Sequence, residues 1–170
     1  MRRRRRLPLR VAVAVFACAP AFAQTPPAAE ARAVVASEQP IHVAARTGTR
    51  AEVERLLSAD RKLRDLPTDY GSTPLHLAAM NPDTGPLQAL LAAGAPVHAR
   101  DGEGATPLHM AAYGSNTKAA VLLLEAGADP RLKTSIGRDV LSMARKVQAN
   151  ELAGVVSLWL LKTCTPGVPC

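Results

Sequence analysis

Apolar residues recur along the chain at helical spacing. Val53, Leu56 and Leu57 share one face of the segment from Arg50 to Ser58, the three-and-four spacing of an amphipathic helix. Leu152, Val155, Val156, Trp159 and Leu160 repeat that spacing near the C-terminal end. Asn150 stands where such a helix would be capped. Ile41 to Arg46 predicts a shorter helix, which Gly48 turns towards the next. Thr73-Pro74 predicts another start, with Thr as cap and Pro at the first helical position. Pro82 lacks an N–H, so it should end that helix early. Asp83 or Thr84 is then expected to cap a following helix that holds Pro86 in its first turn. Val121 to Leu124 should pack inward, and a further short helix should end between Ser142 and Gln148. The sum is an all-α chain of short helices in pairs.

The pattern is also periodic at long range. Thr106-Pro107-Leu108-His109 repeats Thr73-Pro74-Leu75-His76 position for position. At the same shift Gly104 falls on Gly71, Ala111-Ala112 on Ala78-Ala79, Leu123-Leu124 on Leu90-Leu91, and Gly127-Ala128 on Gly94-Ala95. Weaker copies flank these two. Pro40-Ile41-His42-Val43-Ala44-Ala45 sits upstream, with His42 one position further from His76 than His76 is from His109. Gly137, Leu141, Met143 and Ala144 continue the spacing downstream, where Asp139 and Ser142 replace Thr and His. A fixed period of this size marks a stack of supersecondary units, whose end units are atypical because their outer faces meet water.

The pattern G-x-T-P-L-H-x-A-A, followed by a Leu pair and Gly-Ala, resembles the ankyrin repeat. The resemblance implies a solenoid of about four helix-turn-helix repeats with short β-hairpin fingers, over about 39–67, 68–100, 101–133 and 134–162. Two turns depart from the pattern. Asp60 stands where later repeats have Gly94 and Gly127, and is expected to take the left-handed conformation there. Ser115 replaces a turn glycine, and Gly114 beside it is expected to supply the unusual backbone angle.

Composition fits such a stack. Hydrophobic residues make up 48% of the chain and aromatics only 3%, so the core must be built from Ala, Leu and Val. The formal net charge of +7 misleads. Six arginines fall within residues 1–23, and taking those six from the 21 basic residues leaves 15 against 14 acidic ones. That balance speaks against nucleic-acid binding, which needs a basic patch.

Residues 1–23 read as a signal peptide: an Arg-rich start, an apolar run from Val11 to Cys18, and Ala21-Phe22-Ala23 before Gln24. The run is too short for an ordinary membrane-spanning helix. Val15-Phe16-Ala17-Cys18 is similar to a lipoprotein cleavage box apart from the bulky Phe16, so a lipid anchor is the alternative. The arginine pairs resemble a twin-arginine signal only as any cationic leader does. Residues 24–38 should open flexibly at Thr25-Pro26-Pro27, and 28–37 has the composition of a capping helix. Removal of the leader leaves Cys164 and Cys170 in a turn-rich tail, 163–170. An even cysteine number in an exported protein favours a disulfide. A redox-active pair is the alternative, although the C-x-x-C spacing is missing.

No nucleophile elbow, phosphate loop or paired-carboxylate motif is present, so an enzyme is not expected. Asp101 to Gly104 is turn chemistry, with the Asp101 carboxylate bonding backbone two residues on. His42, His76 and His109 recur once per repeat, about 8–10 Å apart in a helix stack, whereas zinc ligands all lie about 2 Å from one ion. No metal and no cofactor is therefore expected. The resemblance implies instead that these histidines bond loop backbone, while His98 should be an exposed finger residue. Trp159 should seal the end of the stack.

The resemblance also implies a protein partner on the concave face of finger tips and first helices. The matching positions are Arg46 in the first repeat; Asp69, Tyr70, Ser72, Met80 and Asn81 in the second; Glu103, Ala105 and Tyr113 in the third; Ile136, Arg138 and Lys146 in the fourth. Beyond the leader the chain has three aromatics, and two of them, Tyr70 and Tyr113, fall on this surface. Tyr, Met and Arg are enriched at interface centres. The expected role is a monomeric, non-enzymatic binding module of the bacterial periplasm, free of the membrane once the leader is gone. Similar bacterial proteins support stress defence or neutralise toxins. A thiol-redox or stress-defence factor using Cys164 and Cys170, and a secreted effector or toxin-immunity protein, are the alternatives.

Overall fold

The computed structural model describes residues 38–162. The expected signal peptide, nearly all of the 24–38 start, and Cys164 and Cys170 lie outside them. The described residues form eight α-helices: α1 (Pro40–Thr47), α2 (Arg50–Ala59), α3 (Pro74–Met80), α4 (Gly85–Ala92), α5 (Pro107–Tyr113), α6 (Thr117–Glu125), α7 (Val140–Lys146) and α8 (Asn150–Leu161). A 3-10 turn, Arg61–Asp65, joins the first helix pair to the second.

Local chemistry sets the helix starts. Proline occupies the first turn of α1, α3 and α5, where its missing N–H is not needed. Thr73 and Thr106 cap α3 and α5 in reciprocal boxes with His76 and His109. Thr49 and Glu52 form the same box at α2, with the Thr49 N–H donating to Glu52 Oε2 at 3.0 Å. Asp83 Oδ1 accepts from the Gly85 N–H at 2.9 Å as α4 opens.

The odd-numbered helices pack in one layer, each on the next, and α2 on α4 and α6 on α8 pack in a second. Between the layers runs a continuous core. Ile41, Leu75 and Leu108 are fully buried at the same register of successive repeats. Ala44-Ala45, Ala78-Ala79 and Ala111-Ala112 are buried beside them, and these small side chains let the inner helices approach closely. Leu90, Leu123, Leu124, Leu152 and Val156 close the core from the outer layer. Trp159 packs against it partly buried at the end of the stack.

Each later repeat opens with a finger. The Thr68, Asp101 and Thr134 N–H groups donate to the carbonyls of Ser72, Ala105 and Arg138 at 2.9, 3.0 and 2.9 Å. Gly71, Gly104 and Gly137 take φ of +76°, +71° and +76° at the tips, angles that favour glycine. The fingers are tight turns, and a single isolated bridge, Lys133 to Asp139, is the β pairing among the described residues.

The structure corrects four local expectations. Asp60 is extended, with φ −149°, and its carboxylate caps the 3-10 turn by accepting from the Lys62 N–H at 2.9 Å. Ser115 itself takes the left-handed angle, φ +53°, while Gly114 stays at −80°. Pro82 does not shorten its helix, since α3 and α5 both have seven residues. Asn150 is the first residue inside α8, whose cap is Ala149 without a side-chain bond. His98 is exposed as expected, but its Nε2 accepts from the Asp129 N–H at 3.1 Å.

Candidate protein-binding face

The third and fourth fingers are held by buried histidines. His76 Nδ1 accepts from the Thr73 N–H at 3.1 Å and from the Thr73 hydroxyl at 2.9 Å. With Nδ1 an acceptor, the proton sits on Nε2, which donates to the carbonyl of Ala105 in the next finger at 3.1 Å. His109 repeats this with Thr106 and reaches the Arg138 carbonyl at 3.2 Å. Each neutral ring thus ties its own helix start to the following finger. Burial pushes both imidazoles below their ordinary pKa, against the opposing pull of the carbonyls they bond. His42 is buried as well, but its Nε2 meets the Leu66 carbonyl at 2.7 Å, ahead of the second finger.

The fingers are also joined tip to tip. The Gly102 N–H donates to the Tyr70 carbonyl at 2.8 Å, and the Ser135 N–H and hydroxyl donate to the Glu103 carbonyl at 2.9 and 2.7 Å. Arg100 Nη1 donates to the carbonyls of Gly104 and Lys133, each at 2.8 Å. These bonds hold Tyr70, Glu103 and Ile136 in a row at equivalent tip positions. Tyr70 is 85% exposed and Ile136 70%.

Behind the row, α5 and α7 supply the floor of a groove of about 970 Å³. Asp69, Tyr70, Glu103, Tyr113, Ile136 and Arg138 come together around it, as does Lys146. Arg46 does not: it pairs with Glu38 at the first repeat. Met80 is half-buried outside the groove, with its Cβ 3.8 Å from where a Cβ on Gly114 would stand. Ser72 is half-buried and does not line the groove. Ala105 borders it but is buried. Asn81 is not a surface residue, because its buried amide donates back to the carbonyls of Ala45 and Gly48 at 3.1 and 3.2 Å.

Met110 and Met143 were not among the expected face residues, yet they form the groove floor with Val147. A signal for them exists in the period: Leu77, Met110 and Met143 hold the same register of successive repeats, each half-buried. Their apolar character matches a core position as well as a groove floor.

No cluster of three or more potential metal-ligating His, Cys, Asp or Glu side chains is present among the described residues. No buried side-chain nitrogen or oxygen there lacks a hydrogen-bond partner. The buried histidines are therefore committed to holding turns. A family model described as ankyrin repeats, in three copies, matches residues 41–134. The chain belongs to the ankyrin-repeat family. None of the curated proteins matches it. The ankyrin match ends inside the fourth finger, and α7 and α8 beyond it form a further helix pair packed on α5 and α6. Ankyrin repeats serve in general as modules for protein–protein interaction.

Proposed function

We propose that the protein is a non-enzymatic binding module, exported to the bacterial periplasm, that takes a protein partner in the groove of its second to fourth repeats. The observation that carries this is the exposure of large side chains around one floor. Tyr70, Tyr113 (58% exposed) and Ile136 ring the half-buried Met110 and Met143. Apolar surface of this kind, rimmed by polar groups, is a mark of an interaction site. The Arg-rich apolar leader supports export, and export supports a disulfide between Cys164 and Cys170.

The test is capture from periplasmic extract by the wild-type chain and by a Tyr70→Ala/Tyr113→Ala variant. Exposed substitutions should each cost about 0.5 kcal/mol of stability or less, and each should weaken binding by about 2 kcal/mol if it is a hot spot. A variant that melts normally and still retains the captured partner would refute the groove as the site. In the same material, alkylation before reduction should leave Cys164 and Cys170 unlabelled.

A further inference from the structure

The groove walls carry charge that is sorted along the stack. Asp69 in the second finger and Glu103 in the third present carboxylates, whereas Arg138 in the fourth finger and Lys146 at the end of α7 present cations. Three neighbouring charges are engaged elsewhere. Asp101 Oδ1 accepts from the Glu103 and Ala105 N–H groups at 3.0 and 2.8 Å. Asp139 Oδ1 accepts from the Ser142 N–H at 2.7 Å, and Arg100 holds finger carbonyls. The ion pairs among the described residues are Arg46–Glu38, Arg50–Glu54 and Arg64–Asp65, and none of them uses Asp69, Glu103, Arg138 or Lys146.

None of these four charges stands within ion-pairing distance of another. Successive repeats stand about 8–10 Å apart, near the screening length of about 8 Å at physiological ionic strength. Water and salt therefore satisfy them in the free protein, and a partner with matching charges can replace that solvation. A segment of opposite polarity would set carboxylates against Asp69 and Glu103, and such like-charge contacts reject wrong partners. A nucleic-acid backbone meets the same obstacle over the second and third fingers.

We propose that the occupant of the groove is a linear polypeptide segment with Lys or Arg over the second and third fingers and Asp or Glu over the fourth. Two or three large apolar side chains between them fill the floor of Met110, Met143 and Val147. Two repeat steps span about 20 Å, so about six extended residues bridge the poles at about 3.3 Å each. The inference rests on the concave face being the binding site.

The experiment pans a phage-displayed library of random 16-residue peptides on the purified full chain. A second panning uses the charge-swapped variant Asp69→Lys/Glu103→Lys/Arg138→Glu/Lys146→Glu. The wild type should enrich peptides in which basic, apolar and acidic positions follow one order, and the swapped variant should enrich the inverse order. The wild-type consensus peptide should bind the swapped protein at least about ten-fold more weakly. Two half-swapped variants, Asp69→Lys/Glu103→Lys and Arg138→Glu/Lys146→Glu, give the same reading should the quadruple variant not fold. No enrichment, enrichment without charge order, or equal binding to the swapped proteins overturns the proposal. Loss of peptide binding in Tyr70→Ala/Tyr113→Ala would keep the concave face even then, whereas normal binding in that variant would remove the face as well.

Discussion

His76 and His109 each fill three hydrogen-bonding roles with one neutral ring, and that arrangement has a pH sign. Protonation at Nδ1 would replace that acceptor with an N–H donor facing the Thr73 or Thr106 N–H that now donates to it. Burial already holds both rings below the ordinary value of 6.5. The unfolded chain therefore binds protons first as pH falls. The stabilisation is complete above about 6.5 and declines as pH drops through that value towards the depressed folded ones. Asp139, held low by its bonds from Ser142, should act separately in the acid range below 3.8. Urea titrations from pH 7.5 to 5 should show falling stability, and a His76→Gln/His109→Gln variant should show a flatter slope over that window. An equal slope in both would mean that other groups carry the acid sensitivity. The histidines were legible from the sequence because they recur with the period. Ser115 was not: a serine carries no signal that it, rather than the adjacent Gly114, takes the left-handed angle. It takes φ +53° in the turn between α5 and α6.

At the level of elements, what ties one repeat to the last is a pair of asparagines. Asn116 Nδ2 donates to the carbonyls of Ala79 and Asn81 at 3.2 and 2.6 Å, and its Oδ1 accepts from the Ala119 N–H at 3.1 Å as the cap of α6. Asn81 makes the matching bonds one repeat earlier, to Ala45 and Gly48. Asn116→Ala would remove a cap, worth about 0.5–2 kcal/mol, and would leave part-buried carbonyls unpaired, about 1–3 kcal/mol more. Thermal and urea melts should therefore show a loss of about 1.5–5 kcal/mol by those two contributions, although the residue lies outside both the hydrophobic core and the groove. A loss smaller than that of the weakest helix caps would show that water replaces these bonds freely. Helix existence was legible here, because Thr-Pro starts and apolar spacing are local signals. Asn81 reads as a concave-face residue in the sequence because its partners lie 33 and 36 residues away, and no local pattern points to them. The same limit hid Met110 and Met143, since a half-buried groove floor and a core position have the same apolar spacing.

Across the whole molecule, stability should be graded along the stack, because each repeat contacts only its neighbours. The second and third repeats are held on both sides by asparagine or histidine bonds and helix packing. The first repeat lacks the histidine-to-finger bond of the second and third, since His42 bonds to Leu66. The fourth has one described neighbour, and its last helix exposes Leu158 (58%) and Leu161 (78%). Hydrogen exchange should therefore be slowest in α5 and α6 and faster in α8, with opening free energies below the global value at that end. The gradient bears on binding, because Arg138 and Lys146 belong to the fourth repeat while Asp69 and Tyr70 belong to the second. A partner that spans the groove must hold the weaker unit against the stronger ones, so its binding should slow exchange in α7 and α8 more than in α5. Exchange followed by mass spectrometry, with and without the consensus peptide, measures both effects. Uniform protection of α5 and α8 in the free protein would mean that the stack unfolds as one unit. Added protection confined to α1 and α2 would place the partner away from the groove.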